Sequence, residues 1–232
     1  MYTYAFCKTP PAPLNLPHGI VALVQSIETG QLSALVEPAI SLDALKQDDT
    51  LLMQAVLGHD RVIRDLFVQT TILPLRFGTS FNSLEGLKAH LYTQQQTYLN
   101  KLAQLEGKAE YTLKLIPQTL PELAIGSAIK GKDYFLAKKQ QFQAQLLHQQ
   151  QQQAAFKQIE QTITQTYRHC RLSEDQTGNK TLHLLLAYDR EQQLRQTIQT
   201  LQAQHPEWQI ALGGALPPYH FVDNTSESDS NQ

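Results

Sequence analysis

The chain opens on Tyr2-Thr3-Tyr4-Ala5-Phe6, large and small residues in alternation, which is the period-two pattern of a half-buried strand. Pro10, Pro11 and Pro13 close it, because proline has no amide to give a sheet ladder, and an extended surface loop is expected there. Two apolar runs, Gly19–Ser26 and Gln31–Glu37, flank Glu28-Thr29-Gly30 and predict a hairpin. From Thr50 onward Leu52, Val56, His59, Ile63 and Phe67 recur every three or four residues, as on one face of a helix. Thr71–Gly78 returns to period two, with Leu73, Leu75 and Phe77 on one face and Arg76 on the other, and Pro74 marks an edge strand or a bulge. Asn82 followed by Glu85 has the form of a capping box, and Leu84, Leu87, Leu91, Tyr98, Leu102 and Leu105 keep helical spacing up to Gly107. Tyr111, Leu113 and Leu115 predict a further strand before Pro117.

Between Asp133 and Thr177 there is neither glycine nor proline, and glutamine dominates, including the unbroken Gln149–Gln153. Phe135, Phe142, Phe156, Ile163 and Cys170 keep a seven-residue interval interrupted only by Gln149. That interval predicts one helix of roughly 40 residues rather than a flexible glutamine linker. At ~1.5 Å per residue it would extend roughly 55–60 Å, enough to bridge or prop two domains. Leu182, Leu184, Leu186 and Tyr188 predict a strand, Asp189 with Gln192 the cap of a helix carrying Leu194, Ile198 and Leu201, and Trp208–Gly213 a last strand. The class is therefore α+β. The expected organisation is an N-terminal α+β domain over 1–120, a C-terminal α+β domain with the long helix over 121–222, and a disordered tail over 223–232, which has nothing to bury.

Composition narrows the function. Of 232 residues, 41% are hydrophobic and 17% charged, enough for a packed core. Nineteen basic against 21 acidic residues give a formal charge of −2, and Asp223, Glu227 and Asp229 of the tail carry three of the acids, so the body is close to neutral. Nucleic acid and anionic membrane are not expected partners, because both need clustered positive charge. No run approaches a membrane span and the first residues lack the form of a signal peptide. Cys7 and Cys170 form no CxxC and no disulfide framework, which fits a reducing cytoplasm.

Candidate chemistry is sparse. Gly126–Lys132 satisfies GxxxxGK, but Asp133 stands where a phosphate-binding loop needs a Mg²⁺-binding hydroxyl, and a carboxylate there repels phosphate. Eight histidines include no HxxxH or HExxH, and no GxSxG elbow is present. No catalytic residue, metal or cofactor is expected. Two features stand out instead: Arg76-Phe77-Gly78, where the arginine either pairs with a carboxylate such as Glu110 or meets a partner, and Pro217-Pro218-Tyr219-His220-Phe221, an aromatic segment expected to clasp the sheet or to line a groove.

Several of these segments together resemble gas vesicle proteins of the F/L type: Tyr2-Thr-Tyr4, Ile72-Leu-Pro-Leu-Arg-Phe-Gly-Thr79, Gly107-Lys-Ala-Glu110-Tyr, Gly131-Lys-Asp-Tyr134-Phe-Leu and Pro217-Pro-Tyr-His-Phe-Val222, in the family's order along nearly the whole chain. The family's end motif reads Gly-Pro-Trp-Pro-Pro-Tyr, where this chain has Gly214-Ala-Leu-Pro-Pro-Tyr219. The resemblance implies two α+β domains related to the ferredoxin-like arrangement. It also implies a non-enzymatic minor component or assembly factor of gas vesicles, which binds the small hydrophobic shell protein and prevents its aggregation, and which meets other gas vesicle proteins. Arg76, Phe77, Pro217, Pro218 and Tyr219 are then the expected partner-binding residues. The rival readings are a nucleotide-binding enzyme using Gly126–Lys132 and a small-ligand-binding α+β module.

Overall fold

The computed structural model describes residues 1–38, 40, 42–45, 47–120 and 131–222. Five of the seven positions of the Gly126–Lys132 motif, and the tail expected over 223–232, lie outside the described residues.

β1 (Tyr2–Lys8) is buried along six of its seven residues, so it is a central strand covered on both faces. The alternation that predicted it breaks once: pairing with β3 (Leu32–Glu37) shifts register between Thr3 and Ala5. Such a bulge turns the following side chains to the opposite face. Tyr2, Tyr4, Ala5 and Cys7 consequently share one core with Val62, Ile63 and Leu66, while Phe6 turns to Phe81, His90 and Tyr98.

The predicted hairpin forms between β2 (Gln25–Thr29) and β3, with Gly30 at φ 61 in its turn. Gly19–Val24, expected within its first strand, is instead a loop. A short α1 (Leu42–Leu45) precedes α2 (Asp49–Phe67), which Asp48 caps by accepting from the Thr50 and Leu51 amides. β4 (Ile72–Pro74) lies at the sheet edge beside β1, where Pro74 withholds no needed amide. It stops before Arg76, and Leu75–Thr79 forms a turn with Gly78 at φ 92.

The single helix expected from Leu84 to Leu105 is two, α3 (Leu84–Thr93) and α4 (Gln95–Leu105), broken at Gln94. The cap of α3 is Ser83, whose hydroxyl accepts from the Gly86 amide, not Asn82. The sheet order β2-β3-β1-β4, all antiparallel, is the ferredoxin-like order. The helix normally found between the first two strands is replaced by the proline-rich loop.

In the second part of the chain, β5 (Lys108–Pro117), α5 (Lys132–Thr166), β6 (Cys170–Glu174), β7 (Lys180–Ala187), α6 (Glu191–Gln204) and β8 (Trp208–Leu212) follow one another in the order β-α-β-β-α-β. Their sheet order, β6-β7-β5-β8, repeats that of the first sheet. The long helix is present with 35 residues but ends at Thr166. Cys170, read as its last heptad position, opens β6. That strand is an edge whose residues after Cys170 are exposed, so it carries no apolar alternation that a sequence could show. The cap of α6 is Arg190, one residue after Asp189.

Contacts divide the chain into two compact units, Met1–Glu110 with the chain from Ala215 onward, and Tyr111–Gly214. The sequence alone placed one boundary near residue 120 and gave the end of the chain to the second domain. The end returns to the first unit because Leu216 exchanges both backbone hydrogen bonds with Glu110. α5 belongs wholly to the second unit, where it is the crossover between β5 and β6.

Within the second unit the glutamine run seats α5 on the sheet ends. Gln152 Nε2 donates to the Gln118 carbonyl at 2.6 Å, His148 Nε2 to the same carbonyl at 2.7 Å, and Trp208 Nε1 to the Gln152 carbonyl at 2.9 Å. Ala155, Phe156, Ile159 and Ile163 are its buried side chains.

Candidate functional site

Glu37 is fully buried at the end of β3, and its carboxyl group organises a loop it does not belong to. It accepts the Tyr4 hydroxyl and the amides of Ile20, Val21 and Ala22, the Ile20 and Val21 contacts at 2.8 and 2.7 Å. Three consecutive amides turned onto one acceptor fix the loop over residues 19–22 as a rigid hook. Gly19 is required there, since a Cβ at that position would lie 2.0 Å from Glu37 Oε2. The hook is tied to α2 from outside by Arg61, whose Nη2 donates to the His18 and Gly19 carbonyls at 2.9 and 3.1 Å. No periodicity marks Glu37, which in sequence is only the polar end of a strand.

Beside the hook, His59 stacks on Tyr4 with ring centroids 5.2 Å apart and meets Tyr2 and Phe77 edge-on. Its Nε2 lies 3.1 Å from the Leu75 carbonyl and must carry the proton, so Nδ1 accepts the Tyr2 hydroxyl at 2.7 Å. Burial is the largest influence on its pKa and holds it below the usual histidine range. An imidazole kept neutral in the folded state loses stability as pH falls below the unfolded value near ~6.5, because the unfolded chain then binds the proton more readily. The first unit should therefore lose melting temperature as pH falls below about 6.5, and His59→Gln should flatten that slope while lowering stability at pH 7. An unchanged slope in the variant would refute the assignment.

The expected partner-binding residues separate in the structure. Arg76 is exposed in the turn after β4, and its guanidinium has no hydrogen-bond or ion-pair partner among the described residues. The Arg76–Glu110 pair considered from sequence does not form: Glu110 is 1% exposed and is occupied by the His220 amide at 2.9 Å and His220 Nδ1 at 2.6 Å. Phe77 is half-buried on the Tyr2–His59 core. Pro217 and Pro218 are buried, and Tyr219 packs on the same core and donates its hydroxyl to Asp60 at 2.6 Å. Burial opposes the ionised form of Asp60, but the Tyr219 hydroxyl and Arg64 outweigh it and leave its pKa lowered. Pro217–Phe221 is thus the clasp the sequence suggested, fastened at Glu110 and Asp60.

The surface these devices hold in place was not foreseen. The sequence set Val56 on the buried face of α2, whereas the core-facing residues are Ala55, His59, Val62, Ile63 and Leu66, and Val56 is exposed. Met53 and Leu57, 61% and 63% exposed, lie on the outer face of α2, and Val21 in the hook and Leu23 just after it are 53% and 62% exposed. The hook abuts α2 at Gly58, where an added Cβ would come within 3.4 Å of Ile20. Burial pushes the Cys7 thiol up to about 12 and the Cys170 thiol up to about 11, so neither is a poised nucleophile. Gly131, at φ 65, precedes α5, and Lys132 begins it.

The family model described as gas vesicle synthesis protein GvpL/GvpF matches residues 1–223. The chain belongs to this family. Gas vesicle protein F1 of Halobacterium salinarum is 20% identical over 96% of this chain and 92% of its own length. In three dimensions the chain is similar to the crystal structure of GvpF from Microcystis aeruginosa, with a TM-score of 0.68 at 17% identity over 96% of this chain and 98% of that one. GvpF from Anabaena sp. PCC7120 gives a TM-score of 0.70 at 16% identity over 97% and 96%. At such identities the two structures show a shared α+β fold, while membership of the family gives the protein a role connected with gas vesicles and their proteins. No helix among the described residues is long and apolar enough to cross a membrane.

Proposed function

We propose that the protein is a non-enzymatic assembly factor of gas vesicles, working in the cytoplasm and at the vesicle, that binds the small hydrophobic shell protein and keeps it from aggregating. The observation that supports this reading is a set of exposed apolar side chains of the first unit, Met53 and Leu57 on the outer face of α2 and Val21 and Leu23 in or next to the hook that Glu37 and Arg61 fix. Apolar side chains exposed on a rigid frame bind another apolar surface without first losing conformational freedom. Arg76, exposed and without a partner among the described residues, can hold a client carbonyl or carboxylate through its fork of donors. Phe77, Pro217, Pro218 and Tyr219 serve that surface by holding the frame.

Co-expression with the shell protein, followed by co-precipitation, tests the reading. Leu57→Glu and Arg76→Ala should each melt within about 1 °C of the parent, since neither side chain is packed, and each should recover less shell protein, Leu57→Glu at least tenfold less. Full recovery of the shell protein with both variants would overturn the proposal.

A further inference from the structure

The first half of α5 poses a separate question. All its buried side chains lie between Ala155 and Ile163, so the preceding 23 residues, from Lys132 to Ala154, bury none. Yet these turns are not uniformly polar. Phe135, Phe142 and Leu146, 74%, 66% and 47% exposed, stand at i, i+7 and i+11 and fall within roughly 40° of one another around the helix. A seven-residue interval drifts by about 20° per repeat on a straight helix. The series that reaches the core at Phe156 and Ile163 therefore points about 60–80° away from it at Phe135, and the stripe faces out of the second unit.

The borders of the stripe are one-sided in charge. Lys138 and Lys139 flank it, and neither pairs with a carboxylate among the described residues; Lys138 lies over the Tyr134 ring at 5.3 Å. After Asp133 the next acid along the helix is Glu160, with glutamines filling most of the polar positions between them. An apolar helical stripe is complemented by another helix laid along it, and lysine borders are complemented by acids at the matching positions. A second copy of this chain does not supply them in the two alignments that bring the Phe142 positions together. Laid parallel, it sets Lys138 and Lys139 against themselves, and laid antiparallel about Phe142 it sets them against Gln145 and Leu146.

The geometry points to the first half of α5 as a docking surface for an amphipathic helix of another protein whose apolar face is bordered by acidic side chains. This goes beyond the capture proposed for the first unit and does not depend on it. It also gives the outward half of the helix a role that seating on the sheet, by His148, Gln152 and the buried residues after them, leaves unfilled.

The test uses the full chain and two synthetic helical peptides that share a leucine stripe, one bordered by glutamates and the other by lysines, with affinity read by fluorescence anisotropy. The glutamate peptide should bind at least about tenfold more tightly than the lysine peptide. Phe142→Glu, at an exposed position, should remove that binding with an unchanged melting curve. Reversing both lysines, in Lys138→Glu/Lys139→Glu, should transfer the preference to the lysine peptide. Equal affinity for the two peptides, binding that survives Phe142→Glu, or a preference that charge reversal leaves in place would overturn the proposal. So would sedimentation showing that the parent is a dimer and Phe142→Glu a monomer, which would make the occupant a second copy.

Discussion

Glu37→Gln is expected to destabilise the first unit by about 3 kcal/mol, although the two side chains have nearly the same shape. The Glu37 carboxyl group presents only acceptors to the Tyr4 hydroxyl and the amides of Ile20, Val21 and Ala22. A carboxamide replaces one acceptor by a donor, so whichever way it turns, an NH₂ group faces donors at a site with no exposure. Each buried donor left unmet costs about 1–3 kcal/mol. The hook should loosen with it, and hydrogen exchange at the Val21 and Ala22 amides should accelerate in step with the loss of melting temperature. Gly19→Ala attacks the same joint by a different route, because its Cβ would collide with Glu37 Oε2 and approach the Ala22 carbonyl to 2.9 Å. A Glu37→Gln protein with parental melting and parental exchange would show that the carboxyl group does not hold the hook.

Gln151→Pro is expected to cost the second unit about 3 kcal/mol or more. Gln151 lies well inside α5, and proline there removes an intrahelical hydrogen bond and clashes with the carbonyl four residues earlier. That carbonyl belongs to Leu147, one residue before His148, so the kink falls between His148 and Gln152, the two side chains that grip Gln118. It also moves the Gln152 carbonyl that receives Trp208 Nε1. Circular dichroism should show a loss of helix together with a lowered melting temperature. An unchanged spectrum and melting curve would mean that α5 is not continuous through the glutamine run.

What the sequence disclosed, and what it withheld, follows from where each signal is written. The long helix was legible because glycine and proline are missing throughout it, and β4 was legible as an edge because Pro74 cannot serve a central ladder. Period two revealed β1, but not its bulge, since Tyr2, Tyr4 and Phe6 read as one face until the register shift separates them. β6 was invisible because an exposed edge strand needs no apolar alternation. The seven-residue series was real, yet its drift buries only one end, and the number of faces a repeat presents over 35 residues depends on packing rather than on the interval itself.

The candidate surface was harder still. Arg76 was noticed by its contrast with Leu73, Leu75 and Phe77, but its choice between an internal partner and solvent was decided by His220, more than a hundred residues away, which already holds Glu110. Phe77, Pro217, Pro218 and Tyr219 drew attention through their aromatic and proline-rich character, a character that packing against the Tyr2–His59 core also requires. Met53 and Leu57 gave no signal, because a helix with apolar residues on two faces does not declare which one is covered, and Val21 and Leu23 read as part of a strand. Glu37 gave none either, as its partners come from a loop 15 to 17 residues earlier and from the neighbouring strand.

In the proposed role, the exposed apolar side chains of the first unit hold the shell protein in soluble form. Purified shell protein diluted out of denaturant into increasing amounts of this protein, then sedimented, measures that directly. Shell protein in the supernatant should rise in proportion to the added protein and level off at a fixed ratio, and Leu57→Glu should lower the yield at every ratio. Shell protein that pellets to the same extent with and without the protein, or a supernatant yield indifferent to Leu57→Glu, would contradict it.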